Sequence, residues 1–173
     1  MEKWQESLYA LRVANTAVKN RSLRELNYYT VLGDPRFQIA PGGAEHHHNY
    51  PHGLVIHVNE VMQNVLSMVS NPSDDLITAV IWHDYMKIKD YALDGEQIVK
   101  LPYRKLINHV AGSAMEFHHA AHGMVPVAQL ENIEHLLLSH HGRREWGSPV
   151  EPLTAEAFIL HAADMMSSRG ANL

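Results

Sequence analysis

Leu76-Ile77-Thr78-Ala79-Val80-Ile81-Trp82-His83-Asp84 is the stretch that decides the fold. Its first seven residues are apolar on nearly every face of a helix, which places the segment inside a protein. It then delivers a histidine and a carboxylate at its C-terminal end. Burying an unpaired carboxylate is costly, so a cation must lie near Asp84. Lys87 is the nearest lysine in sequence; a metal is the other candidate.

The pattern places that helix over 75–86, and helical periodicity dominates on both sides of it. Leu8, Leu11 and Val18 predict a first amphipathic helix over 2–20. Ser22, with Glu25 three residues on, reads as the capping box of a second. Gly33-Asp34-Pro35 breaks it, and residues 39–51 read as a loop. A helix follows over 53–70, ended by Asn71-Pro72-Ser73. Residues 90–99 read as a loop or hairpin-like excursion around Asp94-Gly95. Further helices are predicted over 102–122, over 126–141 and from Pro152 or Thr154 onward, with a loop at 142–149. Alternating β-branched runs are almost absent. The expected class is therefore all-α, a helical bundle with a buried metal site.

Composition narrows the functions. The 173 residues suit one domain, expected as 1–173 with N-terminal helices and a loop over 1–45 and the core over 46–168. A net charge of −5 argues against a protein that coats nucleic acid with a broad basic face. There is no cysteine, so thiolate chemistry is excluded. No apolar run reaches membrane-spanning length and the N-terminus lacks an apolar signal core, so the expected location is cytoplasmic, without a membrane partner.

The outlier is histidine, with 14 residues. The run His46-His47-His48 lies inside the chain, where a purification tag would not. His57 sits on an otherwise apolar helical face. Asp164 lies between Ala162-Ala163 and Met165-Met166. His109 precedes Gly112 and Ser113, which permit close helix approach. His140-His141 follows Leu136-Leu137-Leu138. One such residue alone reads as a satisfied core group. Five helices each pointing a nitrogen or oxygen donor inward are what a bundle-core metal site requires. Donors without sulfur suit manganese, iron, cobalt, nickel or zinc. His118, His119, His122, His135 and His161 read as polar-face residues.

This ordered set resembles the HD superfamily of metal-dependent phosphohydrolases: a His, a His-Asp pair, further His residues and a late Asp. The segments 47–57 (HHNYPHGLVIH) and 139–150 (SHHGRREWGSPV), with Pro152, Glu156-Ala157 and His161-Ala162-Ala163-Asp164, are similar to the HD domain of bacterial 3′-to-5′ exoribonucleases. Two positions depart from that pattern. His52 stands where glycine is usual, and Tyr85-Met86 precedes Lys87 where a small residue and glycine are usual. Those exoribonucleases also carry an OB-fold domain, for which 173 residues leave no room.

The resemblance implies one or two divalent metals, manganese or iron foremost. One would be held by His57, His83, Asp84 and Asp164, and a second by Asp84, His109 and His140, with Asp84 bridging. Asp84, Lys87 and His141 are the expected catalytic residues, and His47, His48, Lys87 and Arg143 the expected substrate binders. Glu145 is a candidate to orient a ligand histidine, and Trp146 and Tyr50 to stack on a base. The implied function is hydrolysis of a phosphoester in a nucleotide or short oligonucleotide by metal-activated water, by a monomer or a homodimer. The alternatives are a di-iron oxygenase on the same scaffold, or a metal-stabilised binding module without catalysis.

Overall fold

The computed structural model describes residues 1–45, 47–95 and 97–170; His46 of the histidine run lies outside them. The fold is a helical bundle. Helices α1 (Lys3–Asn15), α2 (Arg21–Leu26), a π-helical turn (Asn27–Leu32), α3 (Pro35–Ile39), α4 (Gly53–Met68) and α5 (Asp74–Trp82) form the first half. The short α6 (Lys87–Asp90) leads into an antiparallel hairpin, β1 (Tyr91–Asp94) and β2 (Gln97–Lys100), which pairs Tyr91 with Lys100 and Asp94 with Gln97. Then come α7 (Tyr103–Leu106), α8 (Asn108–Ala121), α9 (Val127–Ser139), a 3-10 turn (Arg144–Trp146) and α10 (Ala155–Gly170). The long α4 packs between α1 and α10, and α9 lies against α5 and α8. Among the described residues no helix is long and apolar enough to cross a membrane.

Several boundaries differ from the expected ones for identifiable reasons. The first helix stops at Asn15, and Val18 is buried from the following turn. Asn20, not Ser22, caps α2: its Oδ1 accepts from the Ser22 and Leu23 amides at 3.0 and 3.3 Å. Glu25 instead pairs with Arg21 one turn back. Asp34 caps an additional short helix, with Pro35 at its first position. The expected helix over 102–122 is broken because Asn108 takes a left-handed backbone (φ +62°), and its Oδ1 accepts from the Val110 and Ala111 amides. The expected helix over 75–86 ends at Trp82 in a turn that carries His83 and Asp84.

The core explains why that turn is held. Trp82 is fully buried, edge-on to Phe117 at 5.3 Å and to Tyr85 at 5.4 Å. Its indole N–H donates to Asn27 Oδ1 at 2.9 Å. The Asn27 amide in turn donates to Asn15 Oδ1 and Thr78 Oγ1. The π-helical turn thus places one amide that satisfies three buried polar groups from α1 and α5.

The two departures in sequence are also accommodated. His52 adopts φ +67°, a region glycine enters freely. Its ring stacks on Trp4 at 4.4 Å, and its Nδ1–H donates to the Gln38 carbonyl at 2.7 Å. Tyr85 donates to Asp34 at 2.7 Å, and the Met86 amide donates to Ser113 Oγ at 3.1 Å. A methyl group at Gly112 would lie 3.2 Å from Met86 Cβ and 2.4 Å from the Tyr103 hydroxyl, so glycine is what admits this bulk.

Candidate metal centre

Asp84 is the hub. Its Oδ2 lies 3.1 Å from His57 Nε2 and 3.5 Å from His83 Nε2. Asp164 Oδ1 is 3.2 Å from the same His57 nitrogen. The other oxygen, Oδ1, lies 3.4 Å from His109 Nε2 and 3.7 Å from His140 Nε2. His141 Nε2 approaches His109 Nε2 at 3.3 Å. Two donor groups form around Asp84, His57–His83–Asp164 and Asp84–His109–His140–His141, and a third, His47–His48–His57, adjoins the first; within each the donor atoms lie within 4.8 Å of one another. All six residues expected to hold metal are therefore brought together, at the ends or inward faces of α4, α5, α8, α9 and α10. His141, expected beside the substrate, stands among the second group's donors.

The ring orientations follow from what holds the far nitrogens. The Nδ1–H groups of His83 and His140 donate to carbonyls one turn back, Val80 at 2.8 Å and Leu137 at 2.7 Å. That of His141 donates to the Trp146 carbonyl at 2.8 Å. His109 Nδ1 bonds Asp90 Oδ2 at 2.7 Å, and His57 Nδ1 bonds Ser167 Oγ at 3.0 Å. Ser167 passes its own hydrogen to Glu60 Oε2 at 2.9 Å. Each ring thus turns Nε2 to the centre, the orientation a metal-ligating imidazole needs. At Gly142 (φ +82°) a Cβ would run into the His161 ring, so glycine is what admits His161 against the turn after His140–His141. Its Nδ1–H donates to the His140 carbonyl at 2.8 Å.

The electrostatics are those of a site built for cations. Burial works against ionising Asp84 and Asp164, yet Lys87 and the histidines around Asp84, and His57 beside Asp164, hold both carboxyls below their usual range. Burial lowers His57, but the hydrogen bonds it donates to Asp164 and Asp84 outweigh it and raise the ring to about 9. Burial brings His83 down to about 4. The same cause, with His140 and His109 adding to it, takes His141 to about 2. The Lys87 ammonium is buried, 2.6 Å from Asp84 Oδ2 and 2.6 Å from the Gly42 carbonyl.

A divalent metal fits this donor set. Asp84 Oδ1 and His140 Nε2 are buried without a hydrogen-bond partner among the described residues. A native protein rarely leaves two such atoms facing each other unless something else satisfies them.

Two clefts open onto the centre. One, of about 410 Å³, is lined by Trp146, Met165, Ser168 and Arg169 and ends on Lys87, His141, Asp164 and His47. The second, of about 190 Å³, runs toward Lys100, Arg104 and Tyr91 and shares Lys87, His141 and His47. His47 therefore faces both. His48 does not line either: it is buried, with Nε2 on Glu60 Oε2 at 3.0 Å. Arg143 stands over the Trp146 ring at 4.9 Å. Glu145 is exposed and touches no site histidine; Asp90 takes the orienting role expected of it. Tyr50 sits beside His48, outside both clefts.

A 3′-5′ exoribonuclease YhaM of Geobacillus sp. (strain WCH70) is 31% identical over 182 aligned positions, covering 98% of this chain and 52% of the relative. Over nearly its whole length, this chain is similar to that YhaM. The YhaM of Bacillus subtilis (strain 168) is 29% identical over 167 positions, 88% of this chain and 50% of its own length. A YhaM of Listeria monocytogenes serotype 4b (strain F2365) is 33% identical over 145 positions, with shares of 76% and 44%. The chain spans about half the length of the YhaM relatives it matches. No protein-family model matches it, and neither does any solved structure.

Proposed function

We propose that residues 1–173 form one HD domain, with its core over 46–168, that hydrolyses a phosphoester in a nucleotide or short oligonucleotide with the help of one or two divalent metals, manganese or iron. The observation that carries this reading is the Asp84 carboxylate, whose two oxygens each face a separate group of imidazole donors beside a solvent-open cleft. The activity for which the relatives are named, 3′-5′ exoribonuclease, supports nucleic acid as the substrate class.

His57, His83, Asp84 and Asp164 would hold one metal, and Asp84, His109 and His140 a second, with His141 in reach of the latter. When bound, such metals supply hydroxide at neutral pH and polarise the phosphoryl oxygens. The protein's part is positioning and charge. The field that keeps Asp84 ionised also makes it a weak base, so its task is to hold cations rather than to remove a proton. Lys87 is fixed by the Gly42 carbonyl at the wall common to both clefts, where its ammonium meets a phosphate oxygen arriving from either side. Burial lowers His47 to about 4, so it is neutral at pH 7 and offers a ring nitrogen to the substrate in the same place.

The test is release of nucleotide from short RNA, DNA, cyclic nucleotides and nucleoside phosphates after reconstitution with manganese or iron, with metal content measured on the same sample. Turnover that follows metal loading is the expected result. Full loading with no turnover on any member of the panel would refute hydrolysis.

A further inference from the structure

The outer end of the larger cleft carries a feature the hydrolytic centre does not use. Trp146 is 42% exposed there, and two guanidiniums from different elements stand over its ring, Arg143 at 4.9 Å and Arg169 of α10 at 5.5 Å. Neither arginine has an ion pair among the described residues, whereas the buried Lys87 at the cleft's inner end does. Trp146 and Arg169 line the same cleft as Lys87 and His141, so one continuous surface runs from the indole to the metal centre.

The backbone fixes this arrangement. Trp146 closes a single 3-10 turn, and its carbonyl accepts the Nδ1–H of His141. The indole is therefore tied to a histidine of the centre. A flat, half-exposed ring beside two uncompensated cations matches the chemistry of single-stranded nucleic acid. A base stacks on the aromatic face or the guanidinium plane, and the phosphates meet the arginines. A lone nucleotide with its phosphate at Lys87 would leave the phosphate-binding half of this feature empty.

We propose that Trp146, Arg143 and Arg169 form a subsite for a nucleotide adjoining the one that is cleaved. The inference rests on the hydrolytic reading for what happens at the inner end of the cleft, but not for binding at the outer end. Stacking of this kind is sequence-tolerant, so the subsite selects chain over monomer and not one base over another.

The experiment is equilibrium binding of fluorescein-labelled short oligoadenylate, in ribo and deoxy forms, to the full chain in EDTA across a salt series. The variants are Trp146→Ala, Trp146→Phe, Arg143→Ala and Arg169→Ala, all at exposed positions. The oligonucleotide is expected to bind more tightly than adenosine monophosphate competes. Trp146→Ala should weaken it about tenfold or more, with Phe recovering part of the loss. Each arginine removed should lower the slope of log K against log salt by about 0.7. Equal ribo and deoxy affinity places recognition in base and phosphate; a ribo preference adds the 2′-hydroxyl to the same subsite. Binding indifferent to Trp146 and both arginines, or monophosphate competing as well as the oligonucleotide, overturns the subsite while leaving hydrolysis standing. Trp146-dependent binding by a protein that proves hydrolytically inert keeps the subsite and removes the hydrolytic reading instead.

Discussion

Lys87 Nζ lies 2.6 Å from Asp84 Oδ2, and both side chains are buried. The ammonium thus occupies one edge of the carboxylate on which two donor groups converge. It neutralises Asp84 in the metal-free protein, and it competes there with any metal for the same oxygen.

Replacing Lys87 with Met should therefore separate two properties. Metal-free Lys87→Met should lose about 3 kcal/mol of stability, because an uncompensated carboxylate is left buried. Metal affinity should rise, because a competing cation is gone. Turnover should fall even when the site is fully loaded. Thermal unfolding with and without manganese, calorimetric metal titration and nucleotide release check the three parts. A variant that binds metal more weakly than the natural protein would contradict the competition.

The residues behind the ligand histidines should matter for metal rather than for folding. Asp90→Asn weakens the hydrogen bond to His109 Nδ1, and Ser167→Ala removes the one to His57 Nδ1. Each should lower metal affinity by roughly 10- to 100-fold. Asp90→Asn should act on the second metal only, and Ser167→Ala on the first. Stepwise titration with manganese resolves the two; if either variant weakened both steps equally, the two donor groups would not be separate sites.

The pH dependence of the metal-free protein follows from the same rings. Burial holds His83 at about 4 and His141 at about 2 in the folded state, against about 6.5 when unfolded. These depressed values give stability that is present above pH 6.5 and is lost as pH falls toward 4. The loss approaches about 1.4 kcal/mol per pH unit for each ring. His57 has the opposite sign. Asp164 and Asp84 raise it to about 9 despite its burial, so its contribution is present below pH 6.5 and is lost as pH rises through 9. The melting temperature in EDTA should peak near neutrality and decline on both sides. A monotonic profile between pH 4 and 9 would be inconsistent with these assignments.

The candidate centre was legible in sequence because each donor breaks an apolar pattern. His57 interrupts a helical face that is otherwise apolar, and His83-Asp84 ends the largely apolar run 76–82, so their burial could be read before their partners were known. What was not legible depends on chain reversals. Asp90 reaches His109 only because Asn108 takes a left-handed backbone and starts α8 anew. Ser167 bridges His57 and Glu60 of α4 only because α10 packs on α4. His48 shares its motif with His47 but turns away to Glu60, since the loop folds back so that the Gly42 amide meets the His48 carbonyl at 2.8 Å. Asn108 before the helix-starting His109 was the available signal for the broken helix, as an asparagine is a strong N-cap. Nothing comparable marks Arg169, whose neighbour Trp146 lies on a separate loop.

The most direct measurement is metal content and nucleotide release from single-stranded RNA for the natural chain and Asp84→Asn, both reconstituted with manganese and both checked for folding by circular dichroism. Up to two metals per chain with turnover are expected in the natural protein, and a folded Asp84→Asn that has lost the metals and the activity together. A folded Asp84→Asn that kept its metals and its turnover would contradict the claim that this carboxylate is the shared centre of the site.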